Sequence, residues 1–192
     1  MASGLDIALS VALGIGLATA VGFRVFLPLL IVSAAAYTGH LTLTSNFLWL
    51  GSLPALLMLS VAAAVEVFAY YIPAVDNLLD AIATPVALIA GVLVSAAVMT
   101  DLPPIVKWTT AVIAGGGAAG LTQAMTTLVR AKSLAFTAGL GNPAVATTET
   151  GGALLISVIA LTAPLVALAI AIMLGWLAVR AFHKLVGRHK SL

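Results

Sequence analysis

The chain has 192 residues, 62% of them hydrophobic and only 7% charged, whereas an ordinary soluble domain is about a quarter charged, so water is not its main solvent. It contains no cysteine, which excludes disulfides, thiolate nucleophiles and cysteine-held metals. The net charge of +2 comes mainly from the tail, where Arg180, Lys184, Arg188 and Lys190 follow directly on an apolar stretch; this suits the anionic lipids of a cytoplasmic membrane face, and no nucleic-acid partner is expected.

The first apolar stretch, Leu5 to Tyr37, is about 50 Å long if wholly helical, too long for one upright span. Nothing basic precedes it as in a secretory signal, so it is read as mature structure. Gly22-Phe23-Arg24-Val25-Phe26-Leu27-Pro28 places a glycine, a charge and a proline in its middle, which predicts a full span followed by a short re-entrant or half-span segment. After the polar stretch through Thr42, Thr44, Ser45 and Asn46, Leu53-Pro54 opens a second helix that reaches about Tyr71, interrupted only by Glu66.

Ile72 to Asp80 carries turn formers and two acids, and Thr84-Pro85 reads as a cap and first helical position for a short third helix ending near Thr100. Beyond Asp101-Leu102-Pro103-Pro104 a fourth helix extends to about Val129. Arg130 to Gly152 then reads as a polar connector holding a half-helix started by Asn142 and Pro143, before a last helix from Gly152 to about Val179, kinked at Pro164.

The expected fold is therefore all-α: one integral-membrane domain over 1–192, a polytopic transmembrane bundle of about five spans plus re-entrant or broken half-helices, with a short basic tail at 180–192. Five spans put Arg24, Lys107 and the tail on one side and Arg130 and Lys132 on the other, which places the C-terminus in the cytoplasm. Counting Val25 to Tyr37 as a further crossing would bring both termini there. The hairpins Leu53 to Thr100 and Leu102 to Pro164 share a Leu-Pro opening and a polar interruption containing Asn, the pattern of a degenerate internal repeat.

Six residues are candidates for binding an ion or small solute. Glu66 lies roughly 20 Å along its helix, inside the hydrocarbon slab, where a carboxylate must be protonated, paired or facing water. Arg24, at the helix break, is its natural partner; the plainer reading is an anchor snorkelling to the interface. Asp76 and Asp80 share one helical face, with Asn77 beside the first, and suit a hard cation or a proton relay, although Asx residues also serve as turn formers. Asn142, in Gly139-Leu140-Gly141-Asn142-Pro143, begins an irregular segment that would complete or gate such a site. Gly116 and Gly120 form a GxxxG face for close helix packing, on which a homo-oligomer is expected. Signatures of metal hydrolysis, of the serine nucleophile elbow and of the phosphate-binding loop are absent, so an enzyme is not expected, nor is a cofactor.

Gly22-Phe23-Arg24 with Leu27-Pro28, Glu66, Ile72-Pro73 with Val75-Asp76-Asn77, Asp80-Ala81-Ile82-Ala83-Thr84-Pro85, Asp101-Leu102-Pro103-Pro104 and Gly139-Leu140-Gly141-Asn142-Pro143 together resemble the bacterial integral-membrane family catalogued as domain of unknown function 4126. The resemblance covers nearly the whole chain and implies a multi-pass protein of a bacterial inner membrane, without assigning an activity to any residue. The expected function is a small transporter or channel-like protein for an ion or small solute; the alternative is a non-transporting module that binds lipid or a partner protein.

Overall fold

The computed structural model describes residues 3–72 and 75–189, with the backbone alone at 76–78, 80–81 and 184–189. Among the described residues the fold is an all-α bundle, as expected. Its α-helices are α1 (Gly4–Val21), α2 (Phe26–Tyr37), α3 (Leu53–Ala69), α4 (Val75–Val98), α5 (Pro104–Thr110), α6 (Gly117–Thr137), α7 (Asn142–Thr162) and α8 (Pro164–His189). A 3-10 segment, Ser45–Gly51, precedes α3, and a π turn, Ala111–Gly116, joins α5 to α6. Among the described residues four helical stretches are long and apolar enough to cross a membrane, or five if the 3-10 segment and α3, bent by 69°, count as one.

Side-chain chemistry sets the ends of these elements. Ser3 and Asp6 form a reciprocal capping box at the start of α1. Ser52 accepts the amide of Ala55 and Pro54 occupies the first turn of α3, as the Leu-Pro motif predicts. α2 has 12 residues, about 18 Å, too short to cross a bilayer, which agrees with the expected half-span.

The bundle has two ends, defined by contacts. At one, the amide of Thr44 donates to the carbonyl of Ala97 and Ala36 lies against Gly51; at the other, Arg24, Glu66, Tyr70, Arg130 and Glu149 meet. α2 runs away from the Arg24 end and α3 returns to it. α7 is antiparallel to α1, with Ala146 at Arg24 and Ala160 at Gly16. α8 then doubles back beside α1, with Ala167 at Gly16 and Leu174 near Phe23.

Three expectations about helix boundaries are corrected. α4 begins at Val75 with Pro85 in its interior, so Thr84-Pro85 is not a helix start; a helix continues through proline where packing outweighs the lost bond, and α4 packs along α1 and α6. The stretch from Arg130 to Gly152 is not a connector: α6 continues to Thr137, a turn through Ala138 and Gly139 with positive φ follows, and α7 starts at Asn142 and runs unbroken. At Pro164 the chain reverses, making two helices where one kinked helix was expected.

Packing is closest around α1. Gly22 lies where a Cβ would come within 2.5 Å of the Ala119 carbonyl oxygen and of the Thr122 Cβ on α6. Gly116 and Gly120 face Val92 and Leu88 of α4, so the glycine face on which a homo-oligomer was expected is covered within the chain. The outward surfaces stay apolar, with Val61, Phe68, Ile105, Ile113 and Ile172 among the most exposed side chains, an exterior suited to lipid.

Candidate functional site

The α1–α2 break builds the site. α1 ends at Gly22, whose amide donates to the Ala18 carbonyl, and the amides of Phe23 and Arg24 both donate to the Ala20 carbonyl. This tight turn aims Arg24 into the protein, where it is only 2% exposed. It is not a snorkelling anchor. Its Nη1 lies 3.0 Å from Glu149 Oε2, its Nη2 donates to the Ala146 carbonyl at 3.0 Å, and its Nε donates to Thr150 Oγ1 at 3.2 Å.

Arg24 therefore takes Glu149, not Glu66, as its ion-pair partner. Glu149 also accepts Arg130 Nε at 3.0 Å and Arg130 Nη2, so one buried carboxylate is shared by two buried guanidiniums. Arginine suits this place because its planar fork meets both carboxylate oxygens at once. Both guanidiniums lie on the ring of Tyr70, at 3.9 Å for Arg24 and 4.3 Å for Arg130. The Tyr71 hydroxyl and Thr147 Oγ1, 2.8 Å apart, tie the end of α3 to α7.

Glu66 has a different task. Its Oε1 accepts the Val25 amide at 2.7 Å and its Oε2 accepts the Phe26 amide at 2.9 Å. The first residues of any helix leave amides without partners, and Val25, at the N-cap of α2, has no side chain that accepts one. A carboxylate forty residues away completes the cap and complements the positive end of the α2 dipole.

Of the six residues expected at a site, the structure brings Arg24 and Glu66 to the same helix break. Asn142 lies on the buried stripe of α7 that also carries Ala146 and Glu149, two turns before the carboxylate. The side chains of Asp76, Asn77 and Asp80 lie outside the described residues. Among the described residues no three His, Asp or Glu side chains gather as a metal site would require. The expectation that Arg24 and Arg130 lie on opposite membrane sides is overturned, since both touch Glu149; Lys107 lies at the far end, one position before Trp108, whose ring packs near Phe47.

Sequence reasoning passed over Glu149, Arg130 and Tyr70. A signal was present: Asn142, Ala146, Glu149, Ala153, Ile156 and Ala160 recur at helical spacing and form the buried stripe of α7. It was hidden because Thr147-Thr148-Glu149-Thr150 has the composition of a loop.

Two cavities flank this centre. The first, about 460 Å³, lies between α3 and α4 and is lined by Val25, Phe26, Glu66 and Tyr70 together with aliphatic side chains. The second, about 320 Å³, lies among α6, α7 and α8 and is lined by Phe23, Thr148, Glu149 and Leu174 with further apolar groups. Phe23 thus faces one cavity and Val25 and Phe26 the other, so the turn that holds Arg24 divides them.

No curated protein and no solved structure matches the chain. A family model described as a domain of unknown function, DUF4126, matches residues 11–184, a span that takes in the helix break, the ionic centre and both flanking cavities. The match extends over nearly the whole length, and the chain belongs to the DUF4126 family.

Proposed function

We propose that this protein is a small membrane transporter or channel-like protein for an ion or small solute, working through the carboxylates at the α1–α2 break. One observation carries the reading: Arg24, Arg130 and Glu149 are buried together at a broken helix, between two cavities. Ionic groups inside an apolar bundle are costly, and a buried ion pair is a poor means of gaining stability over apolar packing. Broken helices that carry such groups are the usual setting of transport sites.

In this mechanism Glu149 is reached from the cavity lined by Phe23. A proton or cation arriving there competes with the two guanidiniums for the carboxylate. Releasing Arg24 loosens its bonds to Ala146 and Thr150, and with them the turn that separates the cavities. Glu66 keeps the start of α2 in register during this exchange. Asp76, Asn77, Asp80 and Asn142 belong to the same reading, at the starts of α4 and α7. The protein is not an enzyme in this view. It sits in a bacterial inner membrane with its C-terminus cytoplasmic, supported by Lys132 and Arg180 falling toward the Arg24 end.

Flux in sealed liposomes tests this, with wild type compared to Glu149→Gln and Glu66→Gln under a proton gradient and a panel of ions. Flux lost in variants that retain helicity and monodispersity supports the proposal. Absence of flux for every solute, with both variants instead losing stability or assembly, refutes transport and favours the lipid- or partner-binding module.

A further inference from the structure

The cavity between α3 and α4 has a composition that names its occupant. Its walls are aliphatic and aromatic, with Met58 and Val65 on α3 and Ile82 and Val86 on α4, and among the described residues Glu66 is the charged group that lines it. Arg24 and Arg130 line neither cavity. At about 460 Å³ it has the size of a site for a drug-sized molecule.

We infer that this chamber binds a lipophilic organic cation, its charge held between the Glu66 carboxylate and the Phe26 ring. The Val25 amide takes one acceptor direction on Glu66 Oε1 and the Phe26 amide one on Oε2, so the carboxylate is held at the chamber wall by its own cap bonds. A hard divalent cation takes six or more oxygen ligands or keeps its water shell, and these walls suit neither; nor, among the described residues, do three His, Asp or Glu side chains gather as a transition metal would require. A delocalised cation needs no such ligands: it buries apolar surface against the walls, meets the carboxylate, and gains from an aromatic face. An anion of the same shape meets the Glu66 carboxylate, and among the described residues no basic side chain lines the chamber to hold it.

The route in is lateral. α3 packs on α2 and the 3-10 segment and makes no substantial contact with α4, which leaves a cleft between them. Val61 and Val65 on one lip and Ile82 on the other are more than half exposed, on the surface suited to lipid, where such a cation concentrates. This inference deepens the transport reading by naming a class of solute, and rests on it only for movement across the membrane.

The test is equilibrium dialysis of the purified full chain against tetraphenylphosphonium, with tetraphenylborate as a competitor of like shape and opposite charge. Saturable binding is expected, weakened about tenfold or more in Glu66→Gln. Ala62→Phe, which places a ring in the chamber one turn from Glu66 while keeping the carboxylate, abolishes it. Tetraphenylborate does not compete. No saturable binding, equal binding by Ala62→Phe, or competition by the borate overturns the inference; if Glu66→Gln does not fold, Ala62→Phe decides alone. Binding without movement into liposomes keeps the chamber and refutes transport of this class of solute. Proton or ion flux that depends on Glu149, without phosphonium binding, keeps transport and refutes the chamber.

Discussion

Replacing Glu149 with alanine removes the one carboxylate that Arg24 and Arg130 share. Breaking a buried ion pair by deleting one partner costs about 3–5 kcal/mol, because the surviving charge is left without compensation. Arg24 keeps the Ala146 carbonyl and Thr150 Oγ1, and an unfolded chain in a micelle also finds polar partners, so the lower end of that range applies, about 3 kcal/mol. For a chain of this length each kcal/mol moves the melting temperature by about 2–4 °C, which gives a fall of about 6–12 °C. Unfolding in mixed micelles, by titration with a denaturing detergent and by heat, measures both quantities. Arg130→Leu is expected to destabilise for the same reason, and the double variant less than the sum, with a coupling of about 0.5–3 kcal/mol. A Glu149→Ala protein within about 1 kcal/mol of wild type, or strictly additive variants, would refute the claim that the three side chains act as one unit.

Glu66→Ala leaves the partly buried amides of Val25 and Phe26 without their acceptor, at about 1 kcal/mol each, the low end for such groups, and hydrogen exchange at the start of α2 should accelerate. Gly22→Ala forces a Cβ against the Ala119 carbonyl and should cost about 1–3 kcal/mol in the same unfolding assay. Gly117→Ala meets open space in a helix and should be neutral or stabilising by up to about 1 kcal/mol. Cysteines placed at His40 and at Leu140, in a chain that has none of its own, should react with an impermeant maleimide from opposite membrane faces, Leu140 sharing its face with the C-terminus. Labelling of both from one face would overturn the arrangement of the two ends.

Much of this protein follows from its sequence alone, because in a membrane composition and local chemistry leave few choices. Long apolar runs must be helices, since no other backbone satisfies its own polar groups in lipid. Gly22 to Pro28 breaks the first run, Ser52 with Pro54 starts α3, and Pro143 starts α7, each through interactions within a few residues. The same local rules misled at Pro85 and at Arg130 to Gly152, where contacts with distant helices carry a helix through a proline or through threonines. The ionic centre belongs wholly to the tertiary structure. Arg24 and Glu149 are 125 positions apart, so no spacing rule joins them, whereas Arg24 is the one basic residue that precedes Lys107 and so reads as the partner of Glu66. Only packing decides which carboxylate meets the guanidiniums and which caps α2: α7 lies antiparallel to α1 and brings Glu149 to Arg24, while α3 ends where the amides of Val25 and Phe26 need an acceptor.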